Sequence, residues 1–155
     1  MKPSPGNDWH AARVSDLLRS YHELTGRHLI PPGGDPAETA KLLNEAPFFV
    51  AKHGLEKDPV LDYGNLRAIG LFEMPWEDFV KTPSRLTAEA PNRAERQRLL
   101  DRVAEHGFID DYSGIRISST GRRFRIRNAT VWTVTDPSGK KTGQAATFHD
   151  WEFLG

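Results

Sequence analysis

The chain has 155 residues, 37 % of them hydrophobic and 10 % aromatic, so it is long enough for one domain with a real core and too short for two ordinary domains. Its 21 basic and 21 acidic side chains cancel, which argues against nucleic acid as the main partner because that affinity rests on neutralising phosphates. The absence of cysteine excludes disulfides, thiolate catalysis, cysteine-ligated metals and a flavin photosensor that forms a cysteine adduct.

The N-terminal third of the chain is predicted to be helical. Its start lacks the apolar core of a secretion signal, and no apolar run approaches the roughly 20 residues that span a bilayer, so we expect a cytoplasmic protein without a membrane partner. A first helix is expected over about residues 8–25, because apolar side chains recur there at helical spacing: Val14, Leu17, Leu18, Tyr21 and Leu24. Asp35 and Pro36 then predict the cap and first turn of a second helix.

From residue 48 onward the pattern changes to strands and shorter helices. Strands are predicted over residues 48–53, 60–65, 108–119, 122–135 and 142–153. Helical turns over 66–74 and 76–80 and an amphipathic helix over 93–107 separate the second strand from the third. This order predicts an α+β domain: a five-stranded antiparallel sheet with crossover helices on one face. We assign residues 1–45 to an N-terminal helical extension and 46–155 to the sheet domain, together forming one globular unit.

The first helix needs a surface on which to bury its apolar stripe. Beyond Arg127, the outer face of the fourth predicted strand becomes apolar at Ala129 and Val131. We predict that the first helix packs across this outer face, either in its own chain or in a second copy.

Long segments of the sheet domain resemble the MEKHLA domain, a PAS-like family. They are "APFFVAKHGLEKDPVLDYGN", "PSRLTAEAPNRAERQRLL", "GFIDDYSGIRISSTGRRFRI", "NATVW" and "GQAATFHDW". The resemblance, which is to stand-alone bacterial members, implies a PAS-like fold and a sensory or interaction role. In plants the domain ends homeodomain-leucine zipper regulators and is associated with control of dimerisation. This sequence contains neither a homeodomain nor a zipper, so the resemblance does not imply DNA binding.

The fourth predicted strand places polar side chains among apolar ones. Alternation predicts one inner face for Phe124, Ile126, Asn128, Thr130 and Trp132. A buried amide without a partner costs about 1–3 kcal/mol, so Asn128 must be bonded either within the protein or to a bound molecule. PAS-like domains commonly bind ligands between this sheet face and the crossover helices. We therefore predict that Asn128, Thr130 and Trp132 form one wall of a pocket, with a satisfied core asparagine as the alternative.

Other strands and one loop supply further candidates for this pocket. The loop over residues 82–92 is rich in hydrogen-bonding groups, and Ser84 or Asn92 in it could cap a helix. Arg85 is its best-placed cation for clamping a carboxylate or phosphate, unless Glu89 is its only partner. Four side chains on other strands could complete the pocket wall: His53, Tyr63, Tyr112 and Gln144.

The sequence leaves three functions open. The first is a sensory domain that binds a small molecule and signals through a homodimer or a partner protein. The second is an enzyme that uses the same pocket, with Arg85 binding an acidic substrate and His53, Tyr63 or Tyr112 handling protons. The third is a pure interaction module with a filled core. No catalytic motif, metal-type histidine spacing or cofactor signature singles out a reaction, and no cofactor is identified.

A basic stripe is the remaining feature of the sequence. It consists of Arg116, Arg123, Arg125 and Arg127. We interpret it as a solvated face paired with nearby acids such as Glu105, Asp110 and Asp111, and we expect no nucleic-acid partner.

Overall fold

The computed structural model describes residues 1–89 and 93–155. Its helices are α1 (Ala11–Thr25), α2 (Pro36–Asn44), α3 (Leu66–Phe72), α4 (Trp76–Phe79) and α5 (Arg93–His106). Its strands are β1 (Phe49–His53), β2 (Leu61–Gly64), β3 (Phe108–Ile117), β4 (Arg123–Thr135), β5 (Lys141–Phe148) and β6 (Asp150–Phe153). Two short 3-10 helices cover Pro5–His10 and Ser84–Thr87. Within these residues, none of the helices has the length and apolar character that crossing a bilayer requires.

The strands form one antiparallel sheet in the order β2-β1-β5-β4-β3. This arrangement confirms the predicted five-stranded sheet with its helical crossover between β2 and β3. The last predicted strand is divided at His149, and its second part, β6, pairs with the first half of β4. The crossover helices α3, α4 and α5 pack Phe72, Phe79 and Leu99 against one face, which we call the inner face. Helix α1 lies against the other, the outer face, where Trp76 of α4 also packs.

A bulge in β4 changes which residues share a face. Asn128 has φ +53°, in the left-handed region that asparagine tolerates better than most residues. Opposite it, Tyr112 pairs with Ala129 but Gly114 pairs with Ile126, so β4 carries one extra residue there. The alternation therefore shifts by one position after Asn128. The predicted common face is wrong: Phe124 and Ile126 are inner, whereas Thr130 and Trp132 are outer, and Asn128 is exposed.

The inner face carries the larger aromatic cluster. Its members come from β1, β2, β4 and β5 and from the two helices that follow β2: Phe49, Leu61, Phe72, Phe79, Phe124, Ile126 and Phe148. The rings of Phe49 and Phe148 stack across neighbouring strands with centroids 4.3 Å apart. Fully burying each such side chain contributes about 1.5–3 kcal/mol, so this cluster anchors the crossover helices to the sheet.

Helix α1 covers the outer face of the sheet in the same chain, which confirms its predicted location. Val14, Leu17 and Tyr21 are buried there against Trp132 and other outer residues. The contact surface differs from the predicted one, because the bulge turns Ala129 and Val131 to the inner side. A polar bond fixes the alignment: the Trp132 indole N–H donates to Ser20 Oγ across 3.0 Å.

Helix α1 begins later than predicted. Asp8, Trp9 and His10 all have φ between +52° and +60°, so the backbone cannot continue a right-handed helix through them. The helix starts at Ala11 and ends at Thr25, and Gly26 after it, with φ +74°, is the left-handed cap that glycine supplies at low cost.

Candidate ligand-binding cavity

A cavity of about 80 Å³ lies between the inner sheet face, the 3-10 helix Ser84–Thr87 and helix α5. A buried water needs roughly 10–15 Å³ on this measure, so the space suits several waters or a ligand of a few non-hydrogen atoms. Its apolar walls include Phe49, Leu61, Phe72, Leu99, Ile126, Val131 and Phe148. Its polar lining includes His53, Ser84, Thr87, Arg96, Tyr112, Arg116 and Gln144. The cavity thus has a hydrophobic body and several hydrogen-bonding groups.

Backbone pairing with the residues just before β2 holds Ser84 at the cavity. Val60 forms an isolated bridge with Pro83, and the Ser84 N–H donates to the Pro59 carbonyl across 2.8 Å. The 3-10 helix that starts at Ser84 is closed by Thr87, whose hydroxyl donates to the Ser84 carbonyl. Ser84 is therefore held at both its N–H and its carbonyl and presents its side chain to β1 and α5.

Ser84 joins a histidine and an arginine in one buried group. His53 Nδ1 lies 2.6 Å from Ser84 Oγ, and the Arg96 guanidinium donates to the same oxygen. All three side chains are buried. Burial, together with the charges of Arg96 and Lys52, lowers the pKa of His53 to about 4, so the imidazole is neutral at pH 7. When the Ser84 hydroxyl donates to Nδ1, the other imidazole nitrogen of His53 carries a proton that it can donate.

Arg96 reaches the cavity from the inward stripe of α5, which it shares with Leu99 and Val103. Its side chain is only 6 % exposed. No carboxylate in the ranges 1–89 and 93–155 forms an ion pair with it, since Asp58 is paired with Arg85 and Glu89 with Arg123. The remaining three residues, 90–92, contain no acid. Burial and the nearby charge of Arg116 lower the pKa of Arg96 to about 10.

Gln144 adds a buried acceptor beside this group. It is the cross-strand partner of His53, and its side-chain N–H donates to the Leu100 carbonyl across 3.1 Å. Its Oε1 is buried without a well-formed hydrogen bond to the described residues, and the His53 side chain is near enough to Gln144 for their contact to raise the pKa of His53 against the larger effect of burial. A buried acceptor left without a donor costs about 1–3 kcal/mol, so a bound molecule that takes the His53 N–H would be favoured if it also gave Gln144 a donor.

Tyr112 and Arg116 lie side by side on β3 and are partly exposed. The Arg116 guanidinium sits over the Tyr112 ring, 5.2 Å from its centroid. The bulge in β4 pairs Tyr112 with Ala129, and Tyr112 contacts the inner core. These two side chains form the more accessible part of the cavity lining, and Arg116 adds a second positive charge to it.

Three of the eight predicted pocket residues line the cavity: His53, Tyr112 and Gln144. The other five do not line it. Arg85 is exposed and paired with Asp58 at 3.1 Å, and Tyr63 is buried on the outer side near Trp76. The β4 bulge exposes Asn128 and turns Thr130 and Trp132 away from the inner face. The prediction of a pocket wall at Asn128, Thr130 and Trp132 is therefore wrong, and Asn92 lies outside the described residues.

The basic stripe is divided between two environments. Arg125 and Arg127 both pair with Glu152 of β6, and Arg123 pairs with Glu89. Arg116 instead belongs to the cavity lining. The expected pairing with acids is thus found for three arginines, although the partners differ from those named.

Arg96 was not among the residues predicted from the sequence, although a signal for it was present. Arg96 precedes Leu99 by three residues and Val103 by seven, which places it on the same helical stripe. An arginine at an apolar stripe position indicates a buried cation that needs a partner. Described residues provide no cluster of side chains suited to a metal ion.

Comparison with known proteins identifies the fold and a family. The MEKHLA domain model matches residues 11–153. The structure is similar to a PAS domain from Colwellia psychrerythraea, with TM-score 0.60, 11 % identity, and 76 % of this chain and 94 % of that chain covered. A fungal LOV domain photoreceptor gives TM-score 0.60 and 13 % identity, with 91 % of each chain covered.

A third similar structure contains a bound small molecule. It is the PAS domain of a LuxR-family transcriptional regulator from Burkholderia thailandensis in complex with ethanol. It gives TM-score 0.54 and 16 % identity, with 74 % of this chain and 95 % of that chain covered. These likenesses confirm the predicted PAS-like fold. No curated protein matches the sequence.

Proposed function

Because the chain belongs to the MEKHLA domain family and has the fold of a PAS-like sensory domain, we propose that it binds a small molecule in the inner cavity and transmits occupancy to α1. One observation carries the proposal: the cavity combines apolar walls with a buried cation, Arg96, that has no ion-pair partner among the described residues and with the buried side-chain oxygen of Gln144. A few polar groups in a hydrophobic pocket are typical of small-molecule sites. A filled interaction module has no need of them.

Strand β4 connects the cavity to α1. Val131 lines the cavity, and the next residue, Trp132, points to the opposite face and bonds to Ser20 of α1. A ligand that shifts Val131 would therefore move Trp132 on the same segment of backbone. Such a shift would change how firmly α1 is held, and α1 would then act on a second copy or a partner protein.

The enzyme alternative has one matching feature, the contact between His53 and Ser84. A serine nucleophile needs a base that takes its proton near neutral pH. The low pKa of His53 makes it a weak base, and Ser84 is also tied to Arg96. No carboxylate among the described residues orients His53 through an ion pair or hydrogen bond. We therefore favour binding over catalysis.

A cavity-filling variant tests the proposed site. Ala146 lies on the inner face and lines the cavity, so Ala146→Leu would occupy part of its volume. The matched control is Ala104→Leu, on the exposed side of α5. We expect ligand-observed NMR with a set of neutral and charged small molecules to find binders of the wild type and of Ala104→Leu. The same molecules should fail to bind Ala146→Leu.

The outcome that contradicts the site is a folded Ala146→Leu variant that binds these molecules as well as the wild type does. Transmission to α1 has its own measurement. Hydrogen exchange of the α1 amides should change when a binder is added to the wild type, and unchanged exchange at saturation would remove α1 from the proposed function.

A further inference from the structure

The positive charge of Arg96 is buried without an ion-pair partner in the ranges 1–89 and 93–155, and Asp58 attracts it only from beyond ion-pair distance. Asp58 and Glu89 are both engaged by Arg85 and Arg123. The single hydrogen bond from the Arg96 guanidinium to the described residues goes to Ser84, a neutral group. A guanidinium has five N–H donors in a planar fork that matches a carboxylate, so most of its bonding capacity is unused.

The groups around Arg96 also favour one sign of charge on a ligand. Arg116 lines the same cavity and adds positive charge, and His53 offers a ring N–H when its other nitrogen accepts from Ser84. No acidic side chain is among the cavity-lining residues. An anion would gain from each of these groups, whereas a cation would be repelled by the two arginines.

We propose that the cavity binds a short-chain carboxylate, whose anionic group supplies the missing counter-charge of Arg96; this inference rests on the proposed function. The carboxylate would take N–H bonds from the Arg96 fork and from His53. The apolar walls, including Leu99 and Val131, would contact a short alkyl tail. The cavity volume of about 80 Å³ limits that tail to a few carbon atoms.

Gln144 indicates which kind of short-chain carboxylate would bind best. Its Oε1 lies beside the His53 side chain without a well-formed hydrogen bond, and a carboxylate that takes the His53 N–H would leave this oxygen without a donor. A hydroxyl group next to the carboxylate would supply a donor. We therefore expect a 2-hydroxy acid such as lactate to bind more tightly than propanoate, which has the same carbon skeleton without the hydroxyl.

Inorganic phosphate is a poorer match to the same site. It is polar on every side, so it would leave the apolar walls without a contact while losing its own hydration. The charge of Arg96 would be compensated in both cases. Phosphate therefore serves as the probe that separates a general anion site from a carboxylate site.

The experiment titrates the full chain with lactate, propanoate, lactamide and phosphate, followed by 1H–15N NMR. Lactamide has the shape of lactate without its charge. We expect lactate to bind with signals shifting around the cavity, and lactamide to bind at least about tenfold more weakly, a factor that corresponds to about 1.4 kcal/mol. Phosphate should cause no shift at the cavity.

Two variants locate the effect on Arg96. Arg96→Met should weaken lactate binding at least about tenfold. Arg98→Met, on the exposed side of the same helix, should bind lactate as the wild type does. If Arg96→Met fails to fold, Arg96→Lys keeps the charge and removes the planar fork, and the comparison of lactate with lactamide in the wild type needs no variant.

Three outcomes would overturn the carboxylate inference. They are lactamide binding as tightly as lactate, Arg96→Met keeping full lactate affinity, and no shift with lactate at about 100 mM, where a millimolar ligand saturates its site. In each case the proposed function still stands if neutral molecules bind the wild type and not Ala146→Leu. It fails separately if that cavity-filling variant binds them normally.

Discussion

Removing the charge of Arg96 should make the empty protein more stable. Most substitutions of buried residues destabilise, so the expected sign is unusual. Burial and the charge of Arg116 bring the pKa of Arg96 down to about 10. Each unit of pKa is worth about 1.36 kcal/mol, so the folded state disfavours the cation by roughly 3 kcal/mol at neutral pH.

Arg96→Met replaces the charged group with an apolar side chain that can follow the same path along α5. The variant loses the hydrogen bond from Arg96 to Ser84, which contributes about 1.5 kcal/mol or somewhat more because the donor is charged. The free energy of unfolding of the variant should therefore exceed that of the wild type by about 1–2 kcal/mol, which corresponds to roughly 3–6 °C in melting temperature for a chain of this size.

The assay is urea unfolding of protein that has been refolded from denaturant, so that no bound molecule remains. Arg98→Met is the control, and its exposed position predicts a change below about 0.5 kcal/mol. If Arg96→Met instead destabilises the empty protein by more than about 1 kcal/mol, the charge of Arg96 is already compensated in the fold. The reasoning that assigns it to a ligand would then be refuted.

Three further predictions concern pH, the outer face and the bulge. The pKa of His53 in the folded protein is about 4, below the ordinary 6.5. The contribution of neutral His53 to the free energy of unfolding is therefore fully present at pH 7, and up to roughly 3 kcal/mol of it is lost as the pH drops from 6.5 to 4. His53→Gln should reduce that loss in urea unfolding at pH 7 and pH 4.5, and an equal loss in both proteins would contradict it. Ser20→Ala leaves the buried Trp132 N–H without an acceptor, so it should lower the stability measured by thermal unfolding by about 1–3 kcal/mol. The exposed control Ser113→Ala should lower it by no more than about 0.5 kcal/mol. Asn128→Gly should keep or raise the melting temperature, whereas Asn128→Val should lower it because a β-branched residue is strained at φ +53°. Equal melting temperatures of the two variants would show that the bulge relaxes and does not require a left-handed residue.

The order of elements could be predicted because it depends on local patterns. Turn residues and apolar periodicity located the five strands from β1 to β5, and the stripe of α1 correctly predicted that it packs on the outer face. The division into an extension over residues 1–45 and a domain over 46–155 stays a prediction.

The pocket wall was predicted wrongly because strict alternation was assumed along β4. One left-handed residue, Asn128, moves every later side chain to the other face. Bulges depend on how a strand meets its neighbours, and a single strand's sequence shows them only weakly. Arg96 was missed for a different reason: its position on the α5 stripe was visible, but its lack of a counter-charge depends on which arginines reach Asp58 and Glu89 in three dimensions.

The position of α1 has a consequence for any partner of the outer face. Helix α1 is covalently joined to the sheet through α2, so a helix that opened would rebind as an intramolecular partner, at an effective concentration set by that connection. A second copy, or the helix of another protein, must compete with this tethered helix before it can contact Trp132 or Val134. The affinity of such a partner would therefore depend on how tightly α1 is held. Weakening the Ser20–Trp132 hydrogen bond alone should raise the affinity of the partner.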